Sequence, residues 1–170
     1  MVKKILITGG AGFVGSNLAI KLKKDYPEIN IICFDNLKRR GSELNLKRLK
    51  ENNIGFIHGD IRNEHDFDEI ESFDLMIECS AEPSVMAGVD SSPKYLIDTN
   101  LVGTINCLEL ARKNKAKIIF LSTSRIYPIN EINNLEYERQ STRFNLLTNN
   151  NYVSNKGIKE NFPLNINKSR

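Results

Sequence analysis

The fold of this chain is decided near its beginning, by the stretch Ile5-Leu6-Ile7-Thr8-Gly9-Gly10-Ala11-Gly12-Phe13-Val14-Gly15-Ser16. A short apolar run, typical of a buried strand, gives way to glycines and then to an amphipathic pattern. This order predicts a strand, a glycine-rich loop and a helix. The N–H groups in the first turn of such a helix, together with the positive end of its dipole, favour a bound phosphate group.

The glycines of this stretch match a known spacing. Gly10, Gly12 and Gly15 fit the G-x-G-x-x-G fingerprint of dinucleotide-binding loops, and Gly9 fits an alternative spacing with the last two. The alternative is a structural turn that binds no ligand, which could contain the same glycines. The preceding strand, the following helix and an acid twenty residues after Gly15 favour the dinucleotide site. The predicted cofactor contacts in this stretch are Gly9, Gly10, Gly12, Phe13, Val14 and Gly15.

The acid of this pattern is Asp35, which ends a predicted second strand over 29–34. A carboxylate there accepts hydrogen bonds from the adenosine ribose hydroxyls and repels a 2′-phosphate, which favours NAD over NADP. Lys38, Arg39 and Arg40 follow directly and could accommodate that phosphate, and a solvated aspartate at a strand end is the structural alternative. NAD is the predicted cofactor.

The length, charge and composition of the chain limit the classes of function that are expected. A chain of 170 residues can form one domain with a buried core. Its net charge of +3 is spread without a basic block, which argues against nucleic acid and membrane surfaces as partners. The chain has three cysteines, Cys33, Cys79 and Cys107, and an odd number cannot all pair within one chain. Because they also lie mostly in apolar runs, we expect free thiols in a reducing, cytoplasmic compartment. His58 and His65 lack partners at metal-ligand spacing, and neither a membrane span nor a secretion signal is expected.

Strand and helix patterns alternate along the rest of the chain. The further predicted strands cover 54–58, 73–79 and 117–121, and the predicted helices follow the glycine loop, surround 44–49, cover 64–71 and run from Pro93 to 113–115. Such alternation predicts an α/β fold with a doubly wound parallel sheet of five strands. Ligands of such sheets bind at the carboxyl ends of the strands.

The phrase Thr8-Gly9-Gly10-Ala11-Gly12-Phe13-Val14-Gly15-Ser16 resembles the opening of extended short-chain dehydrogenases, which include the sugar-nucleotide epimerases and dehydratases. The resemblance covers nearly the whole chain and is strongest to epimerases of the CDP-paratose 2-epimerase type, through Asp35-Asn36-Leu37, Arg39-Arg40-Gly41 and the tail before Arg170. It implies a Rossmann-type sheet that is incomplete at its C-terminal side, a bound NAD, a nucleotide-sugar substrate with CDP favoured, and a homodimer in the full-length form.

The resemblance also assigns cofactor contacts. Asn36 follows Asp35 at the ribose, and Gly59-Asp60-Ile61-Arg62 is similar to a family phrase beside the adenine, which points to Asp60 and Ile61. A bare turn at the end of a strand is the alternative for that phrase. Ser80 and Ala81 would pass close to the nicotinamide, unless they form an ordinary strand-to-helix connection.

Two further positions bear on this part of the site. Glu78-Cys79 departs from the family's usual His-Leu, although a strand is still predicted there. Asn100-Leu101-Val102-Gly103-Thr104 resembles the family's Asn-x-x-Gly-Thr phrase, in which the asparagine stabilises the fold around the active site. We therefore place Asn100 at the cofactor site in a supporting role.

The predicted catalytic hydroxyl is Thr123. Ser122-Thr123-Ser124-Arg125-Ile126-Tyr127 resembles a family segment in which the hydroxyl four residues before the tyrosine bonds the reacting sugar hydroxyl. Ser122 and Ser124 are the alternatives, since hydroxyl residues also form turns. Residues 1–127 are then expected to form the NAD-binding domain and residues 128–170 an asparagine-rich loop region.

The family's chemistry also needs a Tyr-x-x-x-Lys pair on one helix face, in which the lysine lowers the pKa of a phenol that acts as base. Tyr152 and Lys156 have this spacing, but Gly157 and Pro163 would break the helix. Tyr152 and Lys156 therefore lack the helix that the pair needs, and the catalytic pair and the substrate domain are expected in sequence beyond Arg170. A catalytically silent NAD sensor or scaffold, and a dehydratase or reductase on the same fold, stay open as alternatives.

Overall fold

The apolar runs of the sequence form one parallel sheet. The computed structural model describes residues 2–84, 86–123, 127–154 and 156–164. The five strands of the sheet are β1 (Lys4–Thr8), β2 (Asn30–Asp35), β3 (Gly55–His58), β4 (Leu75–Glu78) and β5 (Lys117–Phe120). Their order is β3-β2-β1-β4-β5, and every neighbouring pair is parallel. The predicted α/β sheet is confirmed.

Helices connect the strands. They are α1 (Phe13–Asp25), α2 (Asn45–Glu51), α3 (Lys94–Ile97) and α4 (Gly103–Lys113), with 3₁₀ turns at Ser42–Leu44 and Glu64–Phe67. A π-helical turn over Asp98–Val102 joins α3 to α4, so the long predicted helix is present but contains a widened turn. The helix expected over 64–71 is limited to one 3₁₀ turn. Across the described ranges, every helix is too short or too polar to span a bilayer.

The core lies on both faces of the sheet. Successive side chains of a strand point to opposite faces. Ile5 and Ile7 of β1 pack with Ala19 of α1 on one side, and Leu6 packs with Cys107 of α4 on the other. Strands buried on both faces need continuous apolar runs, as β1 and β2 have. Burying one such aliphatic side chain stabilises the fold by roughly 1.5–3 kcal/mol.

The strand order reverses beside β1, because the chain leaves β1 for β2 on one side and later returns to place β4 on the other. At such a switch point the connections after the two central strands diverge and leave a crevice at the carboxyl edge. The loops that begin at Gly9 and at Cys79 border this crevice.

The chain divides into two compact units between Leu121 and Ser122. The second unit contains α5 (Ile129–Asn133) and two antiparallel pairs, β6 (Tyr137–Arg139) with β7 (Phe144–Leu146) and β8 (Val153–Ser154) with β9 (Gly157–Ile158). The asparagine-rich sequence here predicts a loop region. The short hairpins were not predicted, because strands of two or three residues are too short to show a hydrophobic period. The predicted domain boundary after residue 127 stays a prediction.

Candidate functional site

The glycine loop is packed tightly against the ends of two strands. Gly9 has a φ of +63°, and a Cβ on it would lie 2.7 Å from the Cys79 carbonyl oxygen at the end of β4. The Gly10 N–H donates to the Phe34 carbonyl at 3.1 Å, and the Gly12 N–H donates to the Gly9 carbonyl at 3.0 Å. The loop therefore needs glycine for its own packing, in addition to any ligand.

The helix that follows the loop begins with an open N-terminus. Gly12 caps α1 in an extended conformation without a side-chain hydrogen bond, and the first turn carries no acidic residue. Phe13 is 85% exposed and Val14 is 52% exposed. The N–H groups and the dipole of this turn fit a pyrophosphate, which is the group that the fingerprint binds.

Asp35 joins the end of β2 to the glycine loop. Its Oδ2 accepts from the Ala11 N–H at 3.1 Å, and its Oδ1 accepts from the Leu37 N–H at 2.8 Å. Each carboxylate oxygen can accept more than one hydrogen bond, so Asp35 keeps capacity for a ribose diol. The amide of Asn45 helps to hold the same loop, because its Nδ2 donates to the Ala11 carbonyl at 2.8 Å. The sequence gives no signal for Asn45, whose partner lies 34 residues away.

Asp60 lies at the end of β3 in a network of hydrogen bonds. Asn36 Nδ2 donates to its Oδ2 at 2.9 Å, and Arg62 binds both carboxylate oxygens, at 2.9 Å and 2.5 Å. The hydrogen bond from Arg62 holds the pKa of the Asp60 carboxyl well below its usual range. The Asp60 N–H donates to Asp66 Oδ2 at 2.8 Å. The structure thus brings Asn36 and Asp60 together, and a surface cavity of about 440 Å³ is lined in part by Asp60 and Arg62.

Ile61 serves the core. Its side chain is buried, and a Cβ on Gly103 of α4 would lie 2.4 Å from its Cδ1. Asn106, one turn further along α4, donates from Nδ2 to the Ile61 carbonyl at 2.9 Å. Asn106 is not among the residues predicted from the sequence, although its spacing of three residues from Gly103 places both on one helix face.

Glu78 connects β1, β4 and the loop after β4. Its side chain is 2% exposed, and Oε1 accepts from the Ser80 N–H at 2.8 Å and from the Thr8 hydroxyl at 3.3 Å. Burial raises the pKa of the Glu78 carboxyl, against the opposing effect of these two donors. Glu78 was predicted only to depart from a family phrase, and its position in an apolar strand is the signal that could have identified this contact.

Asn100 stabilises the same loop from the other side. It lies in the π-helical turn, where its Oδ1 accepts from the Glu82 N–H at 2.8 Å and its Nδ2 donates to the Glu82 carbonyl at 3.2 Å. Both halves of the amide are therefore used to hold the segment that follows Ser80 and Ala81. This geometry agrees with a supporting role.

Thr123 lies three residues beyond β5 and belongs to the second unit with Ser122. Its side chain is exposed. The alternative Ser124 lies outside the described residues. The catalytic role of Thr123 stays a prediction.

Tyr152 and Lys156 do not share a helix. They flank β8, which pairs with β9 in a hairpin, and the Tyr152 ring packs edge-on against Phe162 at a centroid distance of 6.1 Å. The helical spacing that would place the lysine beside the phenol is therefore missing. The physical reason is the Gly157 backbone, whose φ of +116° suits a turn and not a helix.

The cysteines and histidines show no metal chemistry in the described part of the chain. No group of three or more His, Cys, Asp and Glu side chains there could hold a metal ion. Cys33, Cys79 and Cys107 are free, and burial raises the pKa of each thiol to about 12. Burial therefore favours the protonated form of each thiol over the thiolate.

Comparison with known proteins agrees with this geometry. The chain is 35% identical over 148 residues to the CDP-paratose 2-epimerase of Salmonella typhi, with 83% of this chain and 42% of that protein covered. The crystal structure of ADP-L-glycero-D-manno-heptose-6-epimerase from Helicobacter pylori matches with 32% identity and a TM-score of 0.64, over 74% of this chain and 40% of that one. The crystal structure of UDP-glucose 4-epimerase from Bifidobacterium longum, in complex with NAD⁺ and UDP, matches with 26% identity and a TM-score of 0.66. The match covers 74% of this chain and 38% of that chain.

The chain thus spans about two fifths of the length of these relatives, and the Rossmann-type sheet is incomplete at its C-terminal side. The model of the NAD dependent epimerase/dehydratase family matches residues 5–168, which is nearly the whole chain. The cofactor of this family is NAD, as the open N-terminus of α1 and the acid at the end of β2 predict. The chain belongs to the NAD-dependent epimerase/dehydratase family.

Proposed function

We propose that this chain is the NAD-binding part of a nucleotide-sugar epimerase that acts on a CDP-sugar. When bound, NAD supplies the redox step, because it takes a hydride from a sugar carbon and later returns it to the opposite face. The residues of this chain bind and orient the cofactor and the sugar. The observation that carries the proposal is the open N-terminus of α1 beside Asp35, at the switch point of the sheet.

Each proposed cofactor contact has a physical role. The first-turn N–H groups of α1 hold the pyrophosphate. Asp35 accepts hydrogen bonds from the adenosine ribose, and Asn36 donates to it. Asp60 and the main chain of Ile61 border the adenine. Glu78 and Asn100 act through other groups, since they fix the loop of Ser80 and Ala81 that we place beside the nicotinamide.

Thr123 is the proposed substrate-orienting hydroxyl. A hydroxyl that bonds the reacting sugar hydroxyl fixes its direction and carries none of the cofactor's charge. The base that removes the sugar proton is not Tyr152 in this proposal, because Tyr152 and Lys156 flank a hairpin. We propose that the base and most of the sugar-nucleotide pocket correspond to the part of the relatives that this chain does not span.

The choice of CDP is the finer part of the proposal. It is supported by the 35% identity to CDP-paratose 2-epimerase and by the phrases Asp35-Asn36-Leu37 and Arg39-Arg40-Gly41. The proposal also includes a homodimer of the full-length form and a reducing, cytoplasmic compartment, and the free, buried Cys33 and Cys107 support the latter.

A catalytically silent NAD sensor or scaffold is the second candidate function. The hairpin at Tyr152 favours it, because in the described residues the Tyr-x-x-x-Lys spacing does not produce the geometry of a base. A sugar-nucleotide dehydratase or reductase would share the cofactor site and differ in the pocket.

One experiment distinguishes these functions. The longest open reading frame that contains residues 1–170 is expressed, supplied with NAD and separately with CDP-, UDP- and dTDP-sugars, and its products are analysed by NMR. We expect an epimerised CDP-sugar. Loss of water from the sugar would instead identify a dehydratase, and NAD binding without any product would support the sensor.

A further inference from the structure

Two cations meet on one aromatic ring beside the proposed ribose site. Lys38 follows β2, Arg62 follows β3, and Tyr95 lies on α3. The Lys38 Nζ is 3.2 Å from the centroid of the Tyr95 ring, and the Arg62 Cζ is 5.1 Å from the same centroid. Both distances are within the range of about 6 Å over which a cation is attracted to the face of an aromatic ring.

Lys38 lies close in sequence to the residue that selects the cofactor. Asp35 Oδ1 accepts from the Leu37 N–H, and Asn36 Oδ1 accepts from the Lys38 N–H at 3.0 Å, so two consecutive turns compact the segment from Asp35 to Lys38. A 2′-phosphate on the ribose would meet the carboxylate of Asp35 and would need a nearby cation to offset the repulsion. Lys38 is the cation that this segment places nearest in sequence to the acid.

The two cations on the ring differ in their other partners. Arg62 is paired with Asp60 through both carboxylate oxygens, which leaves its charge largely neutralised. Lys38 has no ion pair among the described residues, and its ammonium lies on the Tyr95 ring. While the Lys38 ammonium lies on the Tyr95 ring, it cannot also pair with a phosphate at the ribose.

We propose that Tyr95 is a specificity-determining residue that favours NAD over NADP by holding the Lys38 ammonium on its aromatic face. The inference rests on the proposed NAD site at Asp35. Tyr95 acts here on the competing cofactor and not on NAD itself, since NAD has no 2′-phosphate. Arg39 and Arg40 are exposed and follow Lys38, so the test must separate their charges from that of Lys38.

The test is calorimetric titration of the whole 170-residue chain with NAD and with NADP at low ionic strength. The variants are Tyr95→Leu, Tyr95→Phe, Lys38→Met and the double variant Tyr95→Leu/Lys38→Met. Tyr95→Leu should tighten NADP binding by about 2–5-fold, the factor that corresponds to an exposed cation–π contact, and leave the Kd for NAD unchanged. Tyr95→Phe keeps the ring face and should behave as the wild type.

The double variant assigns the effect to Lys38. Lys38→Met alone should change the ratio of the two Kd values little, whereas in the Tyr95→Leu background it should remove the whole gain in NADP affinity. The inference is wrong if Tyr95→Leu leaves NADP binding unchanged or weakens it. It is also wrong if the gain survives Lys38→Met, because the gain then belongs to another cation, Arg39, Arg40 or the Arg62 that shares the ring. A wild-type chain that binds NAD weakly or not at all would contradict the proposed function, which is a separate result.

Discussion

At the scale of single residues, the glycines of the loop have different neighbours. A Cβ on Gly15 would lie 2.3 Å from the Gly9 carbonyl oxygen and 2.8 Å from the Gly10 Cα. A Cβ on Gly12 would meet only the Gly9 oxygen, at 3.1 Å. Gly15 is therefore required by the packing of the loop on α1. At Gly12, the neighbouring protein atoms nearly leave room for a methyl group when no cofactor is bound.

This difference predicts two separate defects. Gly15→Ala should lower the free energy of unfolding by roughly 1–3 kcal/mol, the usual cost of overpacking, as measured by chemical denaturation. Gly12→Ala should change stability less and weaken NAD binding on the order of tenfold, because the methyl group enters the space of the pyrophosphate. Gly55→Ala, whose Cβ would meet its nearest atom at 3.4 Å, is the matched control and should alter neither property. Equal effects at the two loop glycines would contradict this division.

At the scale of elements, the crevice between β1 and β4 is held by a buried carboxylic acid. Glu78 Oε1 accepts from Thr8 of β1 and from the main chain of Ser80. Burial raises the pKa of Glu78 in the folded chain. Between the ordinary pKa and this raised value, the folded state therefore holds a proton that the unfolded state has lost. The contribution of Glu78 to stability is then largest below its ordinary pKa and falls as pH rises through the raised value.

Glu78→Gln should expose this dependence. The amide keeps an acceptor for the Ser80 N–H and has no charge to bury, so the stability of the variant relative to the wild type should increase with pH. Thermal unfolding of both proteins at about pH 5 and about pH 8 measures the difference. Glu69→Gln, at an exposed position, is the control and should show a difference that is independent of pH. A constant Tm difference for Glu78→Gln would mean that Glu78 ionises normally in the folded chain.

At the scale of the whole molecule, the sheet ends on a strand with exposed apolar residues. Ile119 and Phe120 of β5 are 49% and 51% exposed. A parallel sheet of this kind is normally covered on both faces. The chain spans about two fifths of the length of its relatives.

We therefore expect the 170-residue chain to bind NAD and to be catalytically silent. Loss of a positioned general base alone costs about 10²–10⁴-fold in rate, and loss of the sugar-nucleotide pocket costs more. The measurement is incubation of the chain with NAD and a CDP-sugar, followed by NMR of the sugar. Epimerised product that disappears in Tyr152→Phe, but not in the control Tyr137→Phe, would show that Tyr152 is the base after all.

The sequence by itself determined the sheet, the glycine loop and the position of Asp35. These features depend on local information, since a buried strand is a continuous apolar run and a phosphate loop is a fixed spacing of glycines before a helix. The order β3-β2-β1-β4-β5 was not predicted, because an apolar run identifies a strand and contains no information about its neighbours in the sheet. Where the segments were short, as in the hairpins after residue 136, local information failed.

Only the tertiary structure decided which polar side chains meet. Thr8 and Glu78 are 70 residues apart in sequence, and Asn106 and Ile61 are 45 apart. Hydrophobic periodicity places a residue on a face and contains no information about its partner on another element. The contact of Lys38 with Tyr95 has the same origin, because the segment after β2 and helix α3 must first pack before the lysine and the ring can meet. Chain spacing thus predicts where the cofactor binds, and packing between distant elements decides how the loops around that predicted site are held.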